Sequence, residues 1–182
     1  MIRTIIIFLC LFFPFHIVSE ELNGEHLLFA PPDGYQMGFS DRKNDIYISE
    51  WFLDGQTKNQ WSEMVTVQVF FNYPTRDIDN FVDKFMGVIV DVCENGRGLS
   101  ITSGEEYGYS FNFFITICGK NPDTQKPEFT MVKVISGNDG LYIIQKAWKY
   151  EPDDAQIQDW SKSVSQVFLC DSRNDSAPCP KL

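Results

Sequence analysis

Along residues 61–72, WSEMVTVQVFFN, side chains alternate between two faces. Val65, Val67, Val69 and Phe71 share one, and Met64, Thr66, Gln68 and Phe70 share the other. A period of two in β-branched and aromatic residues predicts a half-buried β-strand. Pro74 ends the ladder because it has no N–H to donate, and Thr75 or Asp77 can cap the next element. Over 76–92 the period changes: Ile78, Phe81, Val82, Phe85, Met86, Ile89 and Val92 recur at spacings of three and four. That apolar stripe predicts an amphipathic helix lying on the sheet that contains the strand.

The other elements are bounded by turn chemistry. A short strand over 27–30 stops at Pro31-Pro32-Asp33-Gly34, and further strands are predicted over 35–39 and 46–53, followed by the loop DGQTKNQ. After the helix, 94–98 reads as a helix stop with glycine available for a left-handed cap. Residues 99–102 form a short strand turned by SGEE. Residues 109–118, YSFNFFITIC, are apolar on both faces, which predicts a central strand. Strands over 129–135 and 141–150 are joined across SGNDG. Glu151-Pro152-Asp153-Asp154 opens a second helix with proline in its first turn, and Ile157, Trp160, Val164, Val167 and Phe168 form its stripe. The tail over 171–182 is polar.

This order predicts an α+β domain over 20–170, with a curved, largely antiparallel sheet of about seven to eight strands and two amphipathic helices. The outline resembles the Mog1/PsbP-like sandwich. In that fold an early Pro-Gly turn (here Pro31 to Gln36, PPDGYQ), a mid-chain helix and a C-terminal helix embrace an antiparallel sheet. The resemblance implies fold only; that architecture serves non-catalytic partner-binding proteins, and no functional residue carries over from it.

Residues 1–19 place Arg3 ahead of an apolar run from Ile5 to Phe15, with Ser19 before Glu20-Glu21, the pattern of a cleaved signal peptide. Export is therefore expected, to the periplasm or outside the cell, with no stable membrane span once the signal is removed. The chain carries a net charge of −10, and no run of Lys or Arg breaks it, so nucleic acid is not an expected partner. Cys93, Cys118, Cys170 and Cys179 are an even set in an exported chain. There is no CxxC pair, and His26 is the one histidine beyond the signal, so disulfides are expected and metal is not. Three connectivities are possible. Cys93 ends the first helix and Cys118 ends the long strand, which favours Cys93–Cys118; Cys170–Cys179 would then close a short loop over the tail.

Catalytic chemistry is thinly supplied. His26 has no Ser or Cys beside it in sequence, and Asn95-Gly96-Arg97-Gly98 follows a helix where a phosphate loop would precede one. Glu63, with Glu105-Glu106 in the expected turn, could serve a carboxylate-dependent hydrolase of glycosidase type. Trp51, Trp61, Tyr107, Tyr109 and Trp148 would then be its stacking platforms. Sixteen Phe, seven Tyr and four Trp exceed the apparent needs of one core. The expected function is accordingly an exported, non-catalytic binding or accessory module without a cofactor. Its partner would be a protein or envelope component, and Trp51, Trp61, Tyr107 and Trp148 are the candidate binding residues. The hydrolase and a small lipophilic-ligand binder are the alternatives.

Overall fold

The computed structural model describes residues 22–73 and 77–181. Residues 1–19, Pro74 and Thr75 lie outside them, and with them the expected signal peptide and the expected proline stop. The elements run β1 (Glu25–Leu28), β2 (Tyr35–Lys43), β3 (Ile46–Leu53), β4 (Glu63–Phe71), α1 (Ile78–Val92), β5 (Arg97–Glu106), β6 (Tyr109–Cys118), β7 (Glu128–Ser136), β8 (Gly140–Trp148), α2 (Asp154–Ser165) and β9 (Phe168–Asp171). Seven strands form one antiparallel sheet in the order β2-β3-β4-β8-β7-β6-β5, and β1 pairs with β9 in a second, two-stranded sheet. This is the α+β class expected, with α1 and α2 on opposite faces.

The alternation in β4 sorts the two cores. Val65, Val67 and Val69 pack with Ile144, Trp148 and Met131 beneath Trp160 and Val164 of α2. Phe70 belongs to the other face, where Ile78 and Val82 of α1 cover Phe114, Val132, Leu141 and Ile143. The α1 stripe thus docks on the face opposite Val65 to Phe71, and its far end is uncovered: Val92 is exposed. Asp77 caps α1 by accepting from the Asn80 amide at 3.0 Å. α2 opens with a capping box between Asp153 and Gln156, which places Pro152 before the cap and not in the first turn.

Several expectations are corrected. SGEE is no turn: β5 runs through it to Glu106, and the chain reverses at Tyr107-Gly108, both at positive φ (55° and 85°). Those angles match the right-handed twist of a hairpin, and glycine at the second position makes the turn cheap. A bulge between Ser100 and Thr102 masks the length of this strand in the sequence pattern. The left-handed residue after α1 is Asn95, not a glycine. Gly98 instead lets β5 approach the helix, because a Cβ there would lie 2.5 Å from the Met86 sulfur. Phe168 leaves the α2 stripe to begin β9, a strand that the helical spacing conceals. The hairpin after β7 turns at Asn138-Asp139, whose amides donate to the buried Glu25 at 2.6 and 2.8 Å.

Both expected disulfides are present, Cys93–Cys118 and Cys170–Cys179, with Cα separations of 5.2 and 4.8 Å. The second holds a tail that is more than polar chain: Ala177 is buried, and its carbonyl accepts from the Asp171 amide. Arg173 then bridges Asp171 and Asp139. Among the described residues no helix is long and apolar enough to cross a membrane.

Candidate binding surface and the buried charge pairs

The candidate residues of the sequence separate into buried and accessible ones. Trp148 is 1% exposed in the first core, which removes it from any surface patch. Tyr109 is buried and donates to Asp171 at 3.2 Å; burial and the surrounding carboxylates push its phenol up to about 12. Trp51 is half-buried and meets Phe29 edge-on at 5.6 Å. Tyr107 is 51% exposed on the β5–β6 turn, 5.2 Å from the Phe168 ring. Trp61 is half-buried at the far end of the 54–62 loop, with the Lys149 ammonium 3.8 Å above its ring. His26 is half-buried in β1, its Nε2 2.9 Å from the Asn23 carbonyl.

The carboxylates proposed for hydrolysis are committed elsewhere. Glu63 of β4 accepts from Lys146 at 2.6 Å, from Tyr35 at 2.7 Å and from Tyr150. Burial raises its carboxyl, but these three donors outweigh that and hold it below the usual carboxylate range. Lys146 is 3% exposed and touches the faces of Tyr35 and Trp148. Burial pulls its ammonium down, and Glu63 opposes that only in part. The asymmetry is physical: the carboxylate receives three donors, whereas the lysine has one charged acceptor. Tyr35 and Tyr150 are raised by burial and by the same glutamate.

Glu106 is held by a second buried lysine. Lys133 of β7, 2% exposed, donates to Glu106 and to the Val167 carbonyl, both at 2.7 Å, with its ammonium 5.0 Å from the Phe111 ring. Glu105, the next residue on β5, is exposed. Adjacent strand residues point to opposite faces, so Glu105 and Glu106 are not a pair. These three acids do not converge on one cleft as an acid and a base.

A different group of residues does converge. The 54–62 loop is closed by a reciprocal pair of backbone bonds between Thr57 and Gln60, and by Gln56, which donates to the Ser62 hydroxyl and accepts from its amide. Loop, 121–127 turn and the end of β8 surround an open cleft of about 590 Å³ lined by Gln56, Asn59, Gln60, Trp61, Ser62, Thr124, Lys126 and Lys149 among others. Among the described residues no carboxylate lines it. Burial depresses the Lys149 ammonium, with Glu128 opposing and Lys126 adding repulsion. Glu128 compensates only in part, and burial raises its own carboxyl against the pull of Lys149 and Asn121. Among the described residues neither Lys126 nor Lys149 forms a salt bridge, although Lys120, Lys133, Lys146 and Arg173 each do.

Sequence reasoning reaches Trp61 but misses all four lysines. Lys133 and Lys146 are findable: each occupies an inward position of an alternating strand, between Met131 and Ile135 and between Ile144 and Trp148. Lys126 and Lys149 carry no such signal, since they lie far apart in sequence. Among the described residues no group of His, Cys, Asp and Glu could hold a metal ion.

No protein-family model matches the chain, and no curated protein sequence does. Solved structures do match. The chain is similar to the Ran-binding protein Mog1p of Saccharomyces cerevisiae, with a TM-score of 0.53 at 11% identity over 85% of this chain and 98% of that one. A point mutant of protein Mog1 aligns with a TM-score of 0.43 at 9% identity, over 81% of this chain and 85% of that one. At such identities the likeness is one of fold, and the chain has the Mog1-like fold that its element order resembles.

Proposed function

We propose that this chain is an exported, non-catalytic binding module that docks a protein partner on the face built by the 54–62 loop, with Trp61 at its centre. The observation that carries the reading is the contrast in that cleft: two lysines that form no salt bridge among the described residues stand beside a half-buried tryptophan, while the candidate catalytic glutamate Glu63 is tied into an ion pair and hydrogen-bonded by two tyrosines. Tryptophan is one of the residue types that carry most of the binding energy at protein interfaces. Export is supported by the pattern of residues 1–19 and by two disulfides, which suit an oxidising compartment.

The test is a capture assay with folded variants of the chain, using its native extracellular or periplasmic fraction as the source of partner. Trp61→Ala should reduce capture by at least tenfold and Glu105→Gln should leave it unchanged. Loss in Glu105→Gln alone, with Trp61→Ala intact, would favour a carboxylate-dependent hydrolase. N-terminal sequencing of exported material should find a start at or near Glu20; a start at Met1 in a membrane-bound form would overturn export.

A further inference from the structure

We infer that the Trp61 cleft recognises an acidic segment of its partner, a stretch of polypeptide carrying Asp or Glu side chains; this rests on the reading that the Trp61 face is the binding surface. The cleft is a local inversion of the protein's charge. The chain as a whole carries −10, yet among the described residues those lining this cleft include two lysines and no carboxylate. Lys126 comes from the 121–127 turn and Lys149 from the end of β8, so the fold brings them together across more than twenty residues of chain.

Their positions are held by the scaffold. The Lys149 amide donates to the Ser62 carbonyl at 2.9 Å, and its ammonium rests on the Trp61 ring. Lys126 lies on a turn closed by Asn121, whose amide donates to the Lys126 carbonyl at 2.8 Å. The Lys149 ammonium loses part of its water in the cleft and is repelled by Lys126, and a bound anion relieves both effects. Glu128, the nearby carboxylate, offsets this only in part: burial disfavours its own anion, and the Lys149 ammonium is still held below the ordinary lysine value.

The remaining lining suits carboxylates on a polypeptide. Gln56, Asn59, Gln60, Ser62 and Thr124 bring amide or hydroxyl donors. The cleft opens to solvent and takes its walls from three separate stretches, so it fits several residues of a chain and not one enclosed small molecule. The net negative charge of the chain disfavours a uniformly acidic partner, so productive approach requires the partner's acids to meet this spot, which gives orientation and selectivity as well as attraction.

The experiment is an NMR titration of the isotope-labelled 20–182 chain with two synthetic peptides, one Glu/Asp-rich and one identical but with Gln and Asn in place of the acids. The acidic peptide should shift the Trp61 indole and the Lys126 and Lys149 resonances, and its affinity should fall at least tenfold when salt rises from about 50 to 500 mM. The Lys126→Glu/Lys149→Glu double variant should lose that affinity by tenfold or more; Lys126→Glu alone, at an exposed turn position, keeps the test valid if the double variant fails to fold. If the amide peptide shifts the same resonances as strongly, the Trp61 face remains the binding surface and the acidic class is overturned. Shifts by the acidic peptide confined to residues outside the cleft would overturn both.

Discussion

Two pairs of lysines meet opposite fates in this fold. Lys133 and Lys146 sit in the middle of the sheet among Met131, Ile144 and Trp148, and each has a carboxylate within 2.7 Å and an aromatic face beside its ammonium. Lys126 and Lys149 sit at the rim around Trp61 and have no such carboxylate among the described residues. An ammonium taken from water without a partner costs several kcal/mol, so the core lysines are tolerable only because Glu106 and Glu63 are there. The rim lysines keep enough water to stand unpaired, and an unpaired charge at a rim is available to a partner. The same residue type is thus a structural tie in one place and a contact in the other, and the difference is whether the fold itself supplies the counter-charge.

The largest expected effect breaks the structural pair. Lys146→Ala leaves Glu63 without its main donor and opens a void beside Trp148, and it should cost roughly 3–5 kcal/mol in urea denaturation. Lys146→Met combined with Glu63→Gln should recover most of that loss, because neither charge is then left alone. A single-variant loss under about 1 kcal/mol would show that the pair is solvated and not buried.

Acid should weaken the same pair. Glu63 and Asp171 both titrate below the usual carboxylate range in the fold, Glu63 because its three donors outweigh burial, Asp171 chiefly because Arg173 donates to it. A depressed folded value means that the unfolded chain binds the proton more readily. The stability these groups contribute is therefore complete above the unfolded value of about 4, and is lost as pH falls through the folded value. The contribution of Glu63 and Asp171 to the denaturation midpoint should be flat from neutrality to about pH 5 and should drop below that; Glu63→Gln should flatten the acid limb. An unchanged limb in that variant would show that Glu63 contributes nothing to acid sensitivity.

The smallest effect on stability is expected at the rim. Lys126→Ala should change unfolding free energy by no more than about 0.5 kcal/mol, as is usual for exposed positions away from special features. Its consequence belongs to binding. A loss above about 2 kcal/mol would make Lys126 structural and erase the contrast.

The fold is largely readable from the chain because strand and helix periods stand out where one face is buried. β4, β6 and α1 announce themselves through Val65 to Val69, Phe111 to Ile115 and Ile78 to Phe85. β5 reads too short because a bulge at Ser100 to Thr102 breaks its alternation at an exposed edge, and β9 is hidden because Val167 and Phe168 continue the spacing of the α2 stripe. The binding surface is legible only in Trp61. Trp148 looks equally available in the sequence, since hydrophobic aromatic character at a strand end does not reveal which side of the sheet a helix will cover. Lys126 and Lys149 become neighbours through tertiary structure alone, and no local pattern records that.

The most direct test follows the ammonium groups of Lys149 and Lys146 through a pH titration in one NMR sample, with and without the Glu/Asp-rich peptide. Burial should hold both below the ordinary lysine value in the free protein. On adding peptide, the Lys149 titration should move upward as a counter-charge arrives, while Lys146, already paired with Glu63, should not move. A Lys149 titration at the ordinary value that stays fixed when peptide is added would contradict the claim that this rim lysine waits for an acidic partner.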